Sequence, residues 1–212
     1  MNNINASSKV LASAASGIVP LIIDNQGDAD AIFGRTGIHF KDLDNPTNEL
    51  DLGEFCRLFS EAANQTGNEN FGLHFGSDFE PRRLGAIGYA AISSPTLAAA
   101  LRNMETYFPA HQEQSSFGLI RDNDMFWLSY QINDPRIDSR RQDAELSMGM
   151  FLNIFRHALG SNWSPLEIRF EHNRPTNPKE HERIFSAPVL FGRRTNALAF
   201  RRSDLDARMP DA

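Results

Sequence analysis

The sequence is that of an α+β domain: a helical first lobe packed on a second lobe with a mainly antiparallel sheet and a long helix. Three features carry this reading. Apolar residues recur at helical spacing up to about residue 112, the period then shortens to two over Ser115–Asp122 and Met125–Ile132, and helical and alternating stretches take turns beyond.

Asp28 is placed to cap a short helix closed by Gly34 and Gly37. The spacing of Leu52, Phe55, Cys56, Phe59 and Ala63 predicts a core-facing helix over 52–65, with Gly67 at its end. A short segment follows around Phe71, Leu73 and Phe75. In RLGAIGYAAISS, Gly85 and Gly88 share a helical face and would let another helix approach closely. Ser94 and Pro95 suit the start of a helix over 95–108, whose apolar stripe runs through Leu97, Leu101, Met104, Tyr107 and Phe108. The stretch from Phe108 to Ser116, with Pro109, is the best seam between the lobes.

Two strands joined by Asp-Asn-Asp then form a β-hairpin, with Phe126, Leu128, Tyr130 and Ile132 on one face. A long helix over 139–159 turns Leu146, Met150, Phe151, Phe155 and Leu159 inward and stops at Gly160. A strand over 166–172 alternates Leu166, Ile168 and Phe170 with charged residues. NPKEHERIF reads as a short helix, and PVLF and NALAF read as a closing hairpin. The expected organisation is a flexible N-terminus over 1–17 and one domain over 18–212, helical over about 18–112 and α+β over about 113–212.

A chain of 212 residues, 41% hydrophobic and 23% charged, has the composition of an ordinary globular protein. Surface scaling allows it to bury about 70% of its unfolded surface. Cys56 is the only cysteine, so no internal disulfide and no cysteine-based zinc site can form, in keeping with the cytoplasm. No signal peptide is legible, and no run approaches the roughly 18 apolar residues of a membrane helix. The net charge of -6 argues against the whole chain wrapping nucleic acid. Charge is uneven, however: over residues 1–81, Lys9, Arg35, Lys41 and Arg57 stand against twelve acidic residues, whereas the tail carries Arg193, Arg194, Arg201, Arg202 and Arg208.

Nucleophile elbows, phosphate loops and dinucleotide fingerprints are absent from the sequence. The six histidines fall in no HExxH or HxH array. His172 and His181 could meet across a loop, but two unsupported histidines seldom bind a metal, so no metal ligand and no cofactor are assigned. Cys56 reads as a small core residue. Arg141, Gln142 and Glu145 form a polar cluster at the start of the long helix. Arg141 and Glu145, four residues apart, make either a surface ion pair worth about 0.3–0.5 kcal/mol or an inward-turned clamp in which Arg141 grips a carboxylate. His172, at the end of its strand, is a hydrogen-bonded core histidine or a pocket donor.

The order of elements and several motifs resemble a known family. The motifs are Leu84, Gly85, Gly88 and Tyr89; Ser93 to Leu97; Arg141, Gln142 and Glu145; Phe170, His172 and Pro175; Pro188, Val189 and Phe191; and Asn196, Leu198 and Phe200. Together, over about residues 18–212, they are similar to the N-terminal regulatory, arabinose-binding-like domain of AraC-type transcriptional regulators, in the ornithine-utilisation-regulator branch. The resemblance implies a cytoplasmic bacterial domain, not an enzyme, that senses a small-molecule effector. It also implies that promoter DNA is reached only through a C-terminal helix-turn-helix domain absent from this chain.

With sixteen Phe, two Trp and three Tyr, a mostly apolar effector pocket is expected between the lobes. Tyr89, Tyr107 and Trp127 are its expected walls, and Arg141, Glu145 and His172 its polar contacts. A homodimerisation or partner-contact domain is the alternative, signalled by an exposed apolar patch and no internal cavity. A small enzyme would require Glu145, His172 and Tyr89 to converge on a pocket. The chain alone is expected to give no specific gel shift with promoter DNA; specific, salt-sensitive retention would contradict this reading.

Overall fold

The computed structural model describes residues 7–123 and 125–212. A seven-residue helix that cannot stand alone shows how its two halves are joined. Helix α4 (Phe71–Ser77) contains Gly72 and Gly76, poor helix formers in a segment too short to be stable by itself. Helix α7 (Arg141–Leu159) supplies what α4 lacks. The Gln142 side chain accepts from the Gly72 amide at 2.7 Å and donates to the Glu69 carbonyl at 2.9 Å. At the other end, Asn153 Nδ2 donates to the carbonyls of Gly76, Ser77 and Phe79 at 2.9–3.1 Å. Backbone groups at both ends of α4 thereby gain partners on α7.

The two helices meet backbone to backbone. A Cβ on Gly76 would lie 2.1 Å from the Leu146 carbonyl oxygen, and one on Gly149 would lie 2.7 Å from Gly76. Close contact buries α7 from Gln142 to Phe155 on almost every side, including its polar Gln142, Asp143, Glu145 and Ser147. Each of those groups needs an internal partner.

The helices before α4 follow their local signals. Helix α1 (Ile18–Asp24) leads to α2 (Ala29–Phe33), whose cap Asp28 accepts from the Ala31 amide at 3.0 Å. Helix α3 (Leu52–Thr66) ends on Gly67 at φ 67°, where glycine carries no steric cost. Helix α5 (Ala86–Ile92) leads to α6 (Leu97–His111). The hairpin strands β3 (Ser115–Asp122) and β4 (Met125–Ile132) have the expected bounds; of the expected Asp-Asn-Asp connection, Asp124 lies outside the described residues. After α7 come β5 (Glu167–Arg169), α8 (Lys179–Phe185), β6 (Val189–Leu190) and β7 (Asn196–Arg201).

The α+β class holds, with several corrections. PVLF and NALAF do not pair: β7 inserts between β4 and β5, and β6 runs parallel to β5, giving the order β3-β4-β7-β5-β6. The terminal segment expected to be flexible is packed from residue 8 onward. Its β1 (Lys9–Leu11) pairs antiparallel with β2 (Glu49–Asp51), and Val10 is fully buried. The segment at Phe71 is a helix, a state its glycines concealed. Helix α6 is capped by Thr96, whose hydroxyl accepts from the Ala99 amide, and runs past Pro109 to His111. Gly88 admits the Pro81 carbonyl of the preceding turn, and Gly85 supplies a φ of 71°. The strand expected over 166–172 is three residues long, and Leu166 packs on Trp127.

The larger of two apolar clusters, from Val10 to Met209, spans both halves. All the phenylalanines except Phe40, Phe126 and Phe191 are buried, so the aromatic content is spent on the core. Gly76→Ala is expected to cost about 1–3 kcal/mol or more by overpacking the α4–α7 contact, read as a lower urea midpoint. An unchanged midpoint would show that the contact is not tight.

Candidate functional site

Three side chains, from α7, from α8 and from just beyond β5, converge on one buried carboxylate. Glu145, in the second turn of α7, is 0% exposed. Its Oε1 accepts from Arg141 Nε at 2.9 Å, lies 2.8 Å from His181 Nε2 on α8 and 3.4 Å from His172 Nε2 just beyond β5. Arg141 also donates to Asn70 Oδ1 at 3.1 Å and lies 3.8 Å from Glu69, which ties the cluster to the loop before α4. The inward reading of Arg141 therefore describes its geometry, but the carboxylate it grips is the chain's own. Gln142 is occupied in holding α4.

Burial alone would push the Glu145 carboxyl up, yet the His181 bond and the Arg141 charge outweigh it and hold the group below its ordinary range. Burial also lowers His172, against the pull of Glu145, so its ring favours the neutral form. The rings of Phe170 and Phe191 close over the pair, with centroids 4.9–5.7 Å from those of the two histidines. His181 was legible in the sequence only as a possible partner for His172. That both would meet Glu145 depends on α8 folding back over the strand end, which no local signal encodes.

Two clefts flank the loop that enters α7. One, of about 590 Å³, is lined by Arg140, Arg141, Glu171, His172 and Arg193 together with residues 137–139. Arg140 is committed to the loop itself, donating to the carbonyls of Ile132 and Asp134 at 2.8 and 2.7 Å. Arg193 is exposed and has no side-chain partner among the described residues. The other cleft, of about 620 Å³, shares residues 137–139 and is lined by Asp51, Glu54, Glu61, Asp134 and Asp138 with Arg57 and Arg136.

Among the described residues, Tyr89, Tyr107 and Trp127 do not come together as walls of a pocket between the lobes. At that place lies a cavity of about 20 Å³, enough for one water, among Phe55, Leu84, Met104, Phe108 and Phe151. Beside it Gln112 donates to the Tyr130 hydroxyl, which donates to Asp143 Oδ2, both at 2.6 Å. Burial raises Asp143 to about 7 and lowers His111 to about 4. Tyr89 and Tyr107 are more than half exposed on the outer faces of α5 and α6. Trp127 lies on the opposite face of the sheet from Leu128 and Tyr130, packed on Ala197 and Ala199 with the Arg169 guanidinium 3.8 Å from its ring centre. Of the six expected contacts, Arg141, Glu145 and His172 converge; the three aromatic walls do not. Cys56 is buried in the core, and burial raises its thiol.

Arg141→Ala is expected to destabilise the ligand-free chain by about 1.5–3 kcal/mol, because a buried carboxylate loses a charged partner. The lowered folded pKa of Glu145 fixes the pH dependence. The loss is full above the ordinary glutamate pKa and disappears as pH falls through the folded value, where a protonated Glu145 needs no counter-charge. Urea unfolding at neutral and acid pH measures it; equal stability of variant and parent at neutral pH would contradict it.

Among the described residues, no helix is long and apolar enough to cross a membrane. A curated relative, the ornithine utilization regulator of Pseudomonas aeruginosa, is 21% identical over 177 residues, 84% of this chain and 52% of its own length. The chain thus spans about half of that relative. The crystal structure of the transcriptional regulator CdpR from Pseudomonas aeruginosa shares the fold, with a TM-score of 0.56 and 21% identity over 66% of this chain and 46% of that one. Both are named as regulators, CdpR as a transcriptional one. The profile described as the arabinose-binding domain of AraC transcription regulator, N-terminal, matches residues 27–209, and the chain belongs to that family.

Proposed function

We propose that this chain is the effector-sensing part of a cytoplasmic AraC-type regulator, and that a small charged molecule bound beside the entry to α7 controls a DNA-binding domain. The supporting observation is the pair of clefts that share residues 137–139, one basic and one acidic, each of a size that suits a small ligand. Arg193 and the rim of the His172 cluster offer donors to an anionic group, and Asp51, Glu54 and Asp138 offer acceptors to a cationic one. The clefts are polar, so the ligand is a charged or zwitterionic molecule rather than the apolar body that the aromatic count suggested. Ornithine and related amino acids belong in the first panel, since the curated relative is named for ornithine utilization.

A second reading has its own observation. Leu11, Ala86, Ile87, Ala90, Tyr107 and Ala110 line an exposed apolar groove of about 390 Å³ between α5 and α6, a surface suited to self-association.

Thermal shift against a panel of amino acids and carboxylates separates the two. An effector at one hundred times its dissociation constant is expected to add about 2.7 kcal/mol of stability. Arg193→Ala is expected to weaken binding roughly ten- to hundredfold without altering the ligand-free melt. A chain that ignores the panel, and sediments as a dimer that Tyr107→Glu dissociates, would transfer the function to the groove.

A further inference from the structure

We propose that Glu145, His172 and His181 form a binding site for one divalent first-row transition ion of the zinc class. The inference is independent of the identity of the effector. One ligand atom from each residue lies within 4.8 Å of the other two, and the Glu145 Oε1 distances to the two histidines are 2.8 and 3.4 Å. Zinc–ligand bonds of about 2.0–2.2 Å put tetrahedral donors about 3.4 Å apart, close to the spacing of Glu145 Oε1 from each histidine.

The hydrogen bonding leaves donor atoms unused. His172 Nδ1 is 2.9 Å from the Asn173 carbonyl, which can only accept, so Nδ1 carries the ring proton. The lone pair of His172 Nε2 therefore faces the carboxylate oxygen of Glu145, acceptor against acceptor, and Nε2 is buried without a hydrogen-bond partner. Glu145 Oε2 is likewise buried and unpartnered. A cation held between His172 Nε2 and Glu145 removes the clash of acceptors. The bond from His172 to Asn173 is the outer-shell contact that orients a metal-binding imidazole. At His181, ion binding moves the ring proton from Nε2 to Nδ1, an atom without a partner in either tautomer.

Arg141 does not block the ion, because its guanidinium already reaches Asn70 and Glu69 and keeps those contacts when it yields Oε1. Phe170 and Phe191 exclude water from the inner side, while His172 borders the basic cleft. Two imidazoles and one carboxylate select zinc, nickel, copper or iron over calcium and magnesium.

The test uses the tag-free 212-residue chain, stripped with chelator and then loaded with zinc or cobalt(II) before gel filtration. Elemental analysis is expected to find one equivalent of zinc or cobalt, with visible cobalt bands of low-coordinate geometry and no retention of calcium or magnesium. His172→Gln is expected to weaken binding at least about tenfold while keeping the parent circular dichroism, and Glu145→Gln and His181→Gln to abolish it. Absence of a stoichiometric ion in the parent, or equal retention by His172→Gln, would overturn the proposal. Should the more buried variants fail to fold, the parent cobalt spectrum and His172→Gln decide the matter.

Discussion

A fully buried carboxylate is the constraint around which this structure is organised. An ionised glutamate out of water costs several kcal/mol unless charge and hydrogen bonds replace the lost solvent. Glu145 finds its replacements on α7 itself and on α8, and through Arg141 it reaches the loop that begins α4. To satisfy one side chain, the chain must bring both halves together. The same helix turn carries Gln142, which completes α4, and Asp143, which takes the Tyr130 hydroxyl. The polar face of α7 is therefore an internal scaffold, and its exposed rim is the wall of a cleft.

The scaffold explains why polar rather than aromatic groups mark the candidate site. Phenylalanine rings fill the interior from α3 to β7, with edge and stacked contacts at centroid distances of 4.9–6.3 Å. Such a core leaves room for about one water where the lobes meet. Binding volume lies instead on either side of residues 137–139, where charged side chains line the surface. An AraC-type sensor built in this way would read charge at the entry to its central helix, and a ligand there would act directly on the helix that joins the halves.

Local patterns were enough to read α3, the β3–β4 hairpin and α7, since each depends on periodicity and a terminal glycine or turn. What they could not show was long-range. Helix α4 was hidden because its glycines, unfavourable for an isolated helix, are required by contact with Leu146 and Gly149. The insertion of β7 beside β4 is a choice between sheet partners with equally suitable apolar faces. Tyr89 and Tyr107 were placed inside because α5 and α6 are apolar on more than one face, and period alone does not say which face turns inward. Trp127 was misplaced by one step of strand alternation, although its neighbours Phe126 and Leu128 were assigned to the correct face. The Arg141, Gln142 and Glu145 cluster was visible as polar residues on an otherwise apolar helix, but its partners His172 and His181 become neighbours only through the tertiary fold.

The central claim is that Glu145 acts as a shared, buried tie between separate elements, and a double-mutant cycle between Glu145→Gln and His181→Gln tests it most directly. Groups in direct contact within one network are expected to show a coupling energy of about 1–3 kcal/mol by urea unfolding at neutral pH. Additivity of the two changes to within about 0.3–0.5 kcal/mol would mean that the contact carries no energy, and would contradict the account.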